Sequence, residues 1–304
     1  MKFKKLISGF YETLLSKESK RRFEKFIFVA AVIGLLIHLA LIGLLQLGQL
    51  SNIGVLRGFQ NPVDALYTPF SLILFYEVYC LIYYLPKSIT IYIGKQYEIM
   101  ALITVREMFN ELSYLQLSSN THELKNQPRF LYSMAAILLL FAVIYLYYRM
   151  NQRAVKVDNR TNEHDKNLPP KVQHYISAKR ALALCVGILF IVFMIVFVHK
   201  WVIGSDNLVD LFENSKAVSN MFFSSFFTIL ILADVVILLF SFAMNDEFHI
   251  VMRNSGFVIS TTLLKMSFGV EGLVNHIIML SGVVFGTLML LVFKFYEKIE
   301  IPEE

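Results

Sequence analysis

Six long apolar runs constrain this chain more than any other feature of its sequence. They cover residues 25–48, 66–86, 130–149, 181–203, 220–244 and 274–294. Each run approaches the roughly 20 apolar residues that an α-helix needs to cross a bilayer, and a soluble domain of this size would contain shorter ones. Because 56% of the residues are hydrophobic and only 17% are charged, the sequence predicts an all-α polytopic membrane protein whose first partner is the lipid bilayer.

Two weaker segments, residues 92–114 and 250–269, decide the number of crossings. Each contains polar and charged residues, and each is long enough to cross if those residues face protein instead of lipid. Counting both gives about eight transmembrane helices with both termini in the cytoplasm. The basic linker 151–177 then lies inside and the acidic segment 205–220 outside, as the positive-inside rule prefers. A six-span arrangement keeps the same sidedness for the linker, so the rule permits eight crossings without requiring them.

Charge and composition indicate a bacterial inner (plasma) membrane as the location. The net charge of +5 does not indicate nucleic acid, because the basic residues cluster beside the apolar runs. Residues 1–24 are charged for too long to form a cleaved signal peptide and predict an amphipathic helix on the cytoplasmic surface. The frequent Lys, Asn, Ile and Phe residues are typical of an AT-rich bacterial genome.

The order of features repeats along the chain. Residues 25–150 and 178–304 each contain a span with basic flanks, an apolar span with a central acid, a polar span with a basic residue, and a fourth apolar span. A short tail ends the second repeat. Because four crossings return the chain to the same side, the two repeats would have parallel orientation. The sequence therefore predicts two tandem four-helix bundles joined by the cytoplasmic linker 151–177.

The strongest functional candidates are four charged residues inside predicted spans. Glu77 and Arg106 occupy the second and third spans of the first repeat, and Asp234 and Lys265 occupy the same spans of the second. Helix rise puts each acid within a few ångströms of the depth of its basic counterpart, when the depths are counted from the inner boundary residues Pro86, Lys95, Asp246 and Arg253. A lone charge at the bilayer centre costs on the order of 2.5–3.5 kcal/mol. The sequence therefore predicts two ion pairs, Glu77 with Arg106 and Asp234 with Lys265.

The predicted pairs allow two functional interpretations. In one, they line a pathway for small ions or protons, and the chain is a channel or a transporter. In the other, they fix helix register in a membrane scaffold or signalling subunit that transports nothing. The chain has no phosphate-binding glycine loop, HExxH, nucleophile elbow or Cys-x-x-Cys pattern, which argues against an enzyme. No cofactor or metal site is predicted, and a homo-oligomer remains an open alternative.

Several other polar residues in the spans are secondary candidates. Two histidines in apolar spans are packed side chains or members of a proton relay. Glu107, near an outer helix end, is either a solvated end residue or, together with Glu111, part of a cation-attracting mouth. A serine on a polar helix face either holds helices together or lines a hydrated path. These secondary candidates are His38, His276, Glu98, Glu107 and Ser260.

Two resemblances accompany these residues. An acid on the second helix of a four-helix bundle, facing a basic residue on a neighbour, resembles voltage-sensor-like domains. The fourth spans here lack the basic residue at every third position that those domains carry. The stretch from Glu77 to ALITVRE, which contains Arg106, is similar to the phosphate-starvation-inducible E family of four-span bacterial proteins. The resemblance covers about forty residues in each half and implies a four-span unit without a defined activity.

Overall fold

The described part of the chain is all-helical. The computed structural model describes Thr13 and residues 15–46, 65–117, 128–151, 170–203, 208–244, 248–270 and 272–299. These residues form eight α-helices and no strand. The helices are α1 (Lys17–Gln46), α2 (Tyr67–Tyr84), α3 (Ile89–Leu117), α4 (Pro128–Met150), α5 (Pro170–Ile203), α6 (Leu208–Met244), α7 (Phe248–Ser267) and α8 (Leu273–Ile299).

Five helices are long and apolar enough to cross a membrane: α1, α4, α5, α6 and α8. Helix α2 contains a shorter apolar segment, Thr68–Tyr84. Large apolar side chains on α1, α4 and α5, such as Phe28, Leu138 and Ile195, point away from the protein. Isolated apolar side chains are common on soluble proteins, but whole exposed faces of this kind are what lipid covers. The predicted class of multi-span helical membrane protein is confirmed at this level.

The two weaker segments of the sequence form helices whose polar side chains are mostly buried or half-buried. Nearly every side chain of α3 from Ile89 to Arg106 is buried or half-buried, although several are polar. Helix α3 contacts α2, α4 and α7, and α7 in turn contacts α6 and α8. Their low hydropathy has a physical reason: these helices face protein, where polar side chains find partners, and the apolar helices around them face outward.

The two halves of the chain share one interior. Within each half, consecutive helices lie side by side. Between the halves, α4 packs extensively against α8, and smaller contacts join α2 to α5 and α3 to α7. A pair of self-contained four-helix bundles would lack these contacts. Most buried apolar side chains of both halves accordingly belong to one hydrophobic core cluster, which includes residues from Leu15 to Leu290, and a small second cluster contains Ile42 and Ala65.

Two helices begin earlier in the structure than the predicted segment boundaries. Helix α1 continues without a break from Lys17 to Gln46, so residues 17–24 belong to the first long helix and not to a separate surface helix. Residues 1–12 lie outside the described part. Helix α5 begins at Pro170, inside the predicted linker 151–177, and residues 152–169 are also outside the described part.

Small residues bring α8 close to its neighbours. Gly282 and Gly286 have the four-residue spacing typical of close helix packing in membranes. A β-carbon at Gly286 would lie 1.8 Å from the Tyr97 hydroxyl on α3. A β-carbon at Gly282 would lie 3.1 Å from the main-chain oxygen of Ser260 on α7. Glycine at these two positions therefore allows α3, α7 and α8 to meet.

Candidate functional site

Neither of the two predicted ion pairs forms in the part of the chain that the structure describes. The ion pairs found there join Arg22 to Glu18 and Lys95 to Glu98. Asp234 is not paired with Lys265, and Glu77 is not paired with Arg106. The prediction of matched acid–base pairs was wrong, and helix register explains why in both halves.

In the first half the error lies in the start of the third span. Helix α3 begins at Ile89, directly after a tight turn, whereas the depth estimate started at Lys95. From the helix ends, Glu77 lies about 10 Å from Tyr84, and Arg106 lies about 25 Å from Ile89. The two charges are therefore separated by about 15 Å along the helix direction.

The second half repeats the same error. Helix α7 begins at Phe248, before Arg253, from which the depth of Lys265 was counted. Asp234 lies about 15 Å from the end of α6 at Met244, and Lys265 lies about 25 Å from Phe248. Lys265 is instead in the last turn of α7, where a cation interacts favourably with the helix dipole.

Asp234 on α6 lies among neutral polar side chains from two other helices, α3 and α7. Its Oδ2 atom accepts a hydrogen bond of 3.2 Å from the Nε2 amide of Gln96 on α3. The side chains of Tyr92 on α3 and Thr261 on α7 lie beside the carboxyl. All four residues are almost completely buried, with exposed fractions of 4% for Asp234, 1% for Gln96, 0% for Tyr92 and 2% for Thr261. Residues of both halves thus build this site.

The Asp234 site is incompletely satisfied. The Tyr92 hydroxyl is buried and makes no hydrogen bond of standard geometry. Asp234 has no cationic partner among the described residues. An ionised carboxylate in such a place would be very costly unless a cation or a proton neutralised it. The site can therefore hold one positive charge that the described side chains do not supply.

Glu77 has a different environment, built within the first half. It is half-buried on α2, and the charged groups that act on its carboxyl are Lys95, Glu98, Lys20 and Glu24. Lys95 donates a hydrogen bond of 2.5 Å to Glu98.

Aromatic side chains surround these charges. Lys20 donates a hydrogen bond of 2.9 Å to the Tyr84 hydroxyl. The ammonium groups of Lys20, Lys87 and Lys95 all lie 4.8 to 5.5 Å from the centroid of the Tyr84 ring. This cluster near the α2–α3 turn contains fixed cations, in contrast to the Asp234 site.

Ser260 and Tyr97 connect three helices. Ser260 Oγ donates to the main-chain oxygen of Gly282 at 2.7 Å, so the Tyr97 hydroxyl, also at 2.7 Å, donates to Ser260. Nearby, Tyr147 on α4 donates to the main-chain oxygen of Thr90 at 2.6 Å. Ser260 makes the bonds expected of a serine that holds helices together.

His38 makes a contact within the first half. Its Nδ1 atom lies 2.8 Å from the Thr68 hydroxyl, which joins α1 to α2. The described residues contain no group of three His, Cys, Asp or Glu side chains that could hold a metal ion.

A third polar cluster lies toward the other end of α3. Glu111 on α3, Ser133 on α4 and His276 on α8 meet there, with Ser133 between the other two. Arg106 and Glu107 precede them on α3; Arg106 is buried and Glu107 is half-buried. Sequence reasoning considered Glu111 and His276 separately and missed Ser133. A single serine in an apolar span carries no signal of its own, because only the fold brings its two partners to it.

Comparison of this chain with family models, with curated proteins and with solved structures finds no match. The resemblances to voltage-sensor-like domains and to the phosphate-starvation-inducible E family therefore stay predictions that rest on the residues alone. Arguments about function depend on the three polar clusters and on the helices that place them.

Proposed function

We propose that this chain conducts or transports protons or small cations through its interior, with Asp234 binding the moving charge. The observation that supports this is the burial of Asp234 without a cationic partner among the described residues. A purely structural acid in a membrane interior usually pairs with a fixed base, which neutralises it permanently. Asp234 has neutral neighbours instead, so its charge can be neutralised reversibly by a proton or cation that arrives and leaves.

Helix α3 supplies the route, since its polar side chains extend over most of its length. From one end to the other these are Glu98, Gln96 and Tyr92 near the α2–α3 turn, and Thr104, Arg106, Glu107 and Glu111 farther along. The helix lies between the two halves of the chain and contacts both. Channels and transporters commonly place ionisable groups in such protein-lined interiors, away from lipid.

The proposal includes eight crossings with both termini in the cytoplasm of a bacterial inner membrane. Helices α3 and α7 are 29 and 20 residues long, which corresponds to about 43 Å and 30 Å. Short connections join them to α2 and α8, and a chain that crosses in α2 must return through α3. Single cysteines placed in the connecting segments of a cysteine-free variant should react with a membrane-impermeant reagent from alternate sides.

The test of transport is ion flux in liposomes that contain the purified protein. Asp234→Asn keeps the shape of the side chain and its hydrogen bond from Gln96 but cannot bind a proton or a cation by charge. We expect proton or cation flux to fall at least about tenfold, which corresponds to a barrier only about 1.4 kcal/mol higher. Glu18→Gln is the matched control, because Glu18 is an exposed acid paired with Arg22.

Two outcomes contradict the proposal. One is wild-type protein, correctly folded in liposomes, that shows no flux of protons, sodium or potassium above empty liposomes. The other is flux that Asp234→Asn leaves unchanged. Either result favours the alternative of a non-transporting scaffold or signalling subunit, for which the helix-joining bonds of Ser260 with Tyr97 and Gly282 are the structural argument.

A further inference from the structure

We infer that Glu111, Ser133 and His276 form a proton relay that moves protons between the interior of the protein and the end of the bundle where α3 ends. The inference rests on the proposed transport function and narrows it, because such a relay passes protons and not metal cations. The three residues come from α3, α4 and α8, so the relay, like the Asp234 site, exists only where the two halves meet.

The geometry fixes the direction of the hydrogen bonds. Ser133 Oγ lies 2.8 Å from Glu111 Oε2 and 3.1 Å from His276 Nε2. A serine hydroxyl has one proton to donate and can accept from a second group. When Glu111 is ionised it can only accept, so Ser133 donates to Glu111 and accepts from the Nε2–H group of His276. The result is a continuous chain of hydrogen bonds from an imidazole to a carboxylate.

The two ends of this chain differ in access. Ser133 is fully buried and His276 has an exposed fraction of 9%, whereas Glu111 is only half-buried. The Nδ1 atom of His276 is buried and makes no hydrogen bond. A histidine that only holds helices together would gain from satisfying both ring nitrogens. An unpartnered Nδ1 leaves a position where a proton can arrive from the interior.

The transfer step balances in protons and charge. A proton that binds Nδ1 converts His276 to an imidazolium. Its Nε2 proton then passes to Ser133 Oγ while the Ser133 hydroxyl proton passes to the Glu111 carboxylate. The products are a neutral imidazole protonated at Nδ1, an intact serine hydroxyl and a neutral carboxylic acid. Glu111 releases its proton to the solution, and the imidazole returns to its first tautomer before the next transfer.

The arrangement does not fit nucleophilic catalysis by Ser133. In a serine hydrolase the carboxylate bonds to the histidine and orients it, and the serine bonds to the histidine alone. Here the serine hydroxyl donates its hydrogen bond to the carboxylate. The proton that a histidine base would have to remove therefore points at Glu111 and not at His276. Complete burial of Ser133 also leaves no room for a substrate carbonyl.

Other charged residues lie near the relay on three helices. Arg106 and Glu107 precede Glu111 on α3, and Lys265 lies in the last turn of α7 at the same end of the bundle. Arg129 precedes Ser133 by one turn of α4, and the next charged residues along α4 and α8 are Arg149 and Lys294, near the opposite ends of those helices. The charged groups around the relay in the described helices are therefore its own carboxylate and imidazole and these neighbours on α3, α4 and α7.

The first test is proton flux in liposomes under a pH gradient, reported by an enclosed pH-sensitive dye. Ser133→Ala removes the atom that links the imidazole to the carboxylate, and we expect the flux to fall about tenfold, since a positioned proton-transfer group contributes on the order of a hundredfold or more and a water can replace it in part. Ser281→Ala is the matched control, because the Ser281 hydroxyl is exposed and bonds only to its own helix. His276→Gln, which keeps a hydrogen-bonding amide but cannot relay protons, should reduce flux at least as much.

The second test needs no transport. After a rapid pH jump in detergent, infrared spectroscopy follows the Glu111 carboxyl band, identified by its loss in Glu111→Gln, and the band of isotope-labelled His276. In wild-type protein we expect the two bands to change with one time constant. In Ser133→Ala we expect the His276 band to lag at least about tenfold.

The outcomes separate the relay from the transport proposal. If the Glu111 and His276 infrared bands change with one time constant in wild-type protein that shows no ion flux, the relay is supported and the transport proposal is overturned. Flux that Asp234→Asn abolishes, with Ser133→Ala and His276→Gln at wild-type levels, would overturn the relay and support transport. Equal time constants for the two bands in Ser133→Ala would also overturn the relay.

Discussion

Asp234 and Glu77 occupy the same place in the sequence pattern of the two halves, yet the structure gives them opposite environments. Glu77 is half-buried and lies near Lys20 and Lys95, all within the first half. Asp234 is almost fully buried, and its hydrogen-bond donor, Gln96, comes from the other half of the chain. One acid has fixed cations near it, and the other has only neutral neighbours among the described residues.

The two environments have different consequences for the stability of the protein. Fixed cations near an acid offset part of the cost of its charge whether or not anything is transported, and Glu77 has two of them beside the acids Glu98 and Glu24. An acid that lacks them is a liability for folding, and such residues persist where a protein needs them for function. The first half therefore contains a structural charge cluster, whereas the interface between the halves contains the groups that we assign to transport.

The largest expected effect comes from disturbing the interface on which the Asp234 site depends. In Gly286→Ala the new β-carbon would meet the Tyr97 hydroxyl, which is fully buried and has little space to move. We expect the free energy of unfolding in detergent to fall by about 2–3 kcal/mol, as in overpacked interiors.

The matched control for this change is Gly43→Ala in α1, where a β-carbon meets nothing within 4 Å. It should be neutral or slightly stabilising, since alanine has the higher helix propensity. Equal stability of the two variants would mean that the close approach of α3 and α8 is not as described.

The next effect distinguishes the two acids by its size. Asp234→Asn removes the possibility of ionisation in a neutral site, so we expect the free energy of unfolding to rise by about 1–2 kcal/mol at neutral pH. Glu77→Gln removes attraction to Lys95 and Lys20 together with repulsion from Glu98 and Glu24 in a partly exposed cluster, so we expect a change of less than about 0.5 kcal/mol. Thermal or denaturant unfolding in one detergent measures both. Changes of equal size would remove the distinction between the two acids.

The helices and the membrane class could be predicted from the sequence, whereas the partners of single polar residues could not. Apolar runs give the helices and the membrane class, because burial in lipid requires about 20 apolar residues whatever the packing. The weaker segments 92–114 and 250–269 were correctly predicted as helix candidates, since α3 and α7 cover them almost entirely.

Partners of single polar residues could not be predicted, because they depend on helix ends and on contacts between distant segments. An error of six residues in the start of α3 shifts the estimated depth by about 9 Å, which is enough to pair Glu77 with the wrong base. Gln96 and Asp234 are separated by 138 residues, and Ser133 and His276 by 143. No local pattern relates such residues, and only the packing of the two halves brings them together.

A smaller effect should confirm that the charge cluster belongs to the first half. Lys95 and Glu98 form the closer of the two ion pairs among the described residues, with side chains 25% and 31% exposed. A double-mutant cycle with Lys95→Met and Glu98→Gln should give a coupling energy of about 0.5–1 kcal/mol. The same cycle between Lys95 and Asp234 should give a coupling near zero. A larger coupling between Lys95 and Asp234 would mean that the two acids share one electrostatic environment.

The smallest expected effect concerns the pair that the sequence suggested and the structure does not form. Because Lys265 lies in the last turn of α7, about 10 Å beyond the depth of Asp234, the two charges should not depend on each other. A cycle of Asp234→Asn, Lys265→Met and the double variant should therefore show a coupling within about 0.5 kcal/mol of zero. Unfolding in detergent measures it, with the Lys95–Glu98 cycle as the positive control. A coupling above about 2 kcal/mol would restore the ion pair, give Asp234 a fixed cation and remove the reason to assign it to a moving charge.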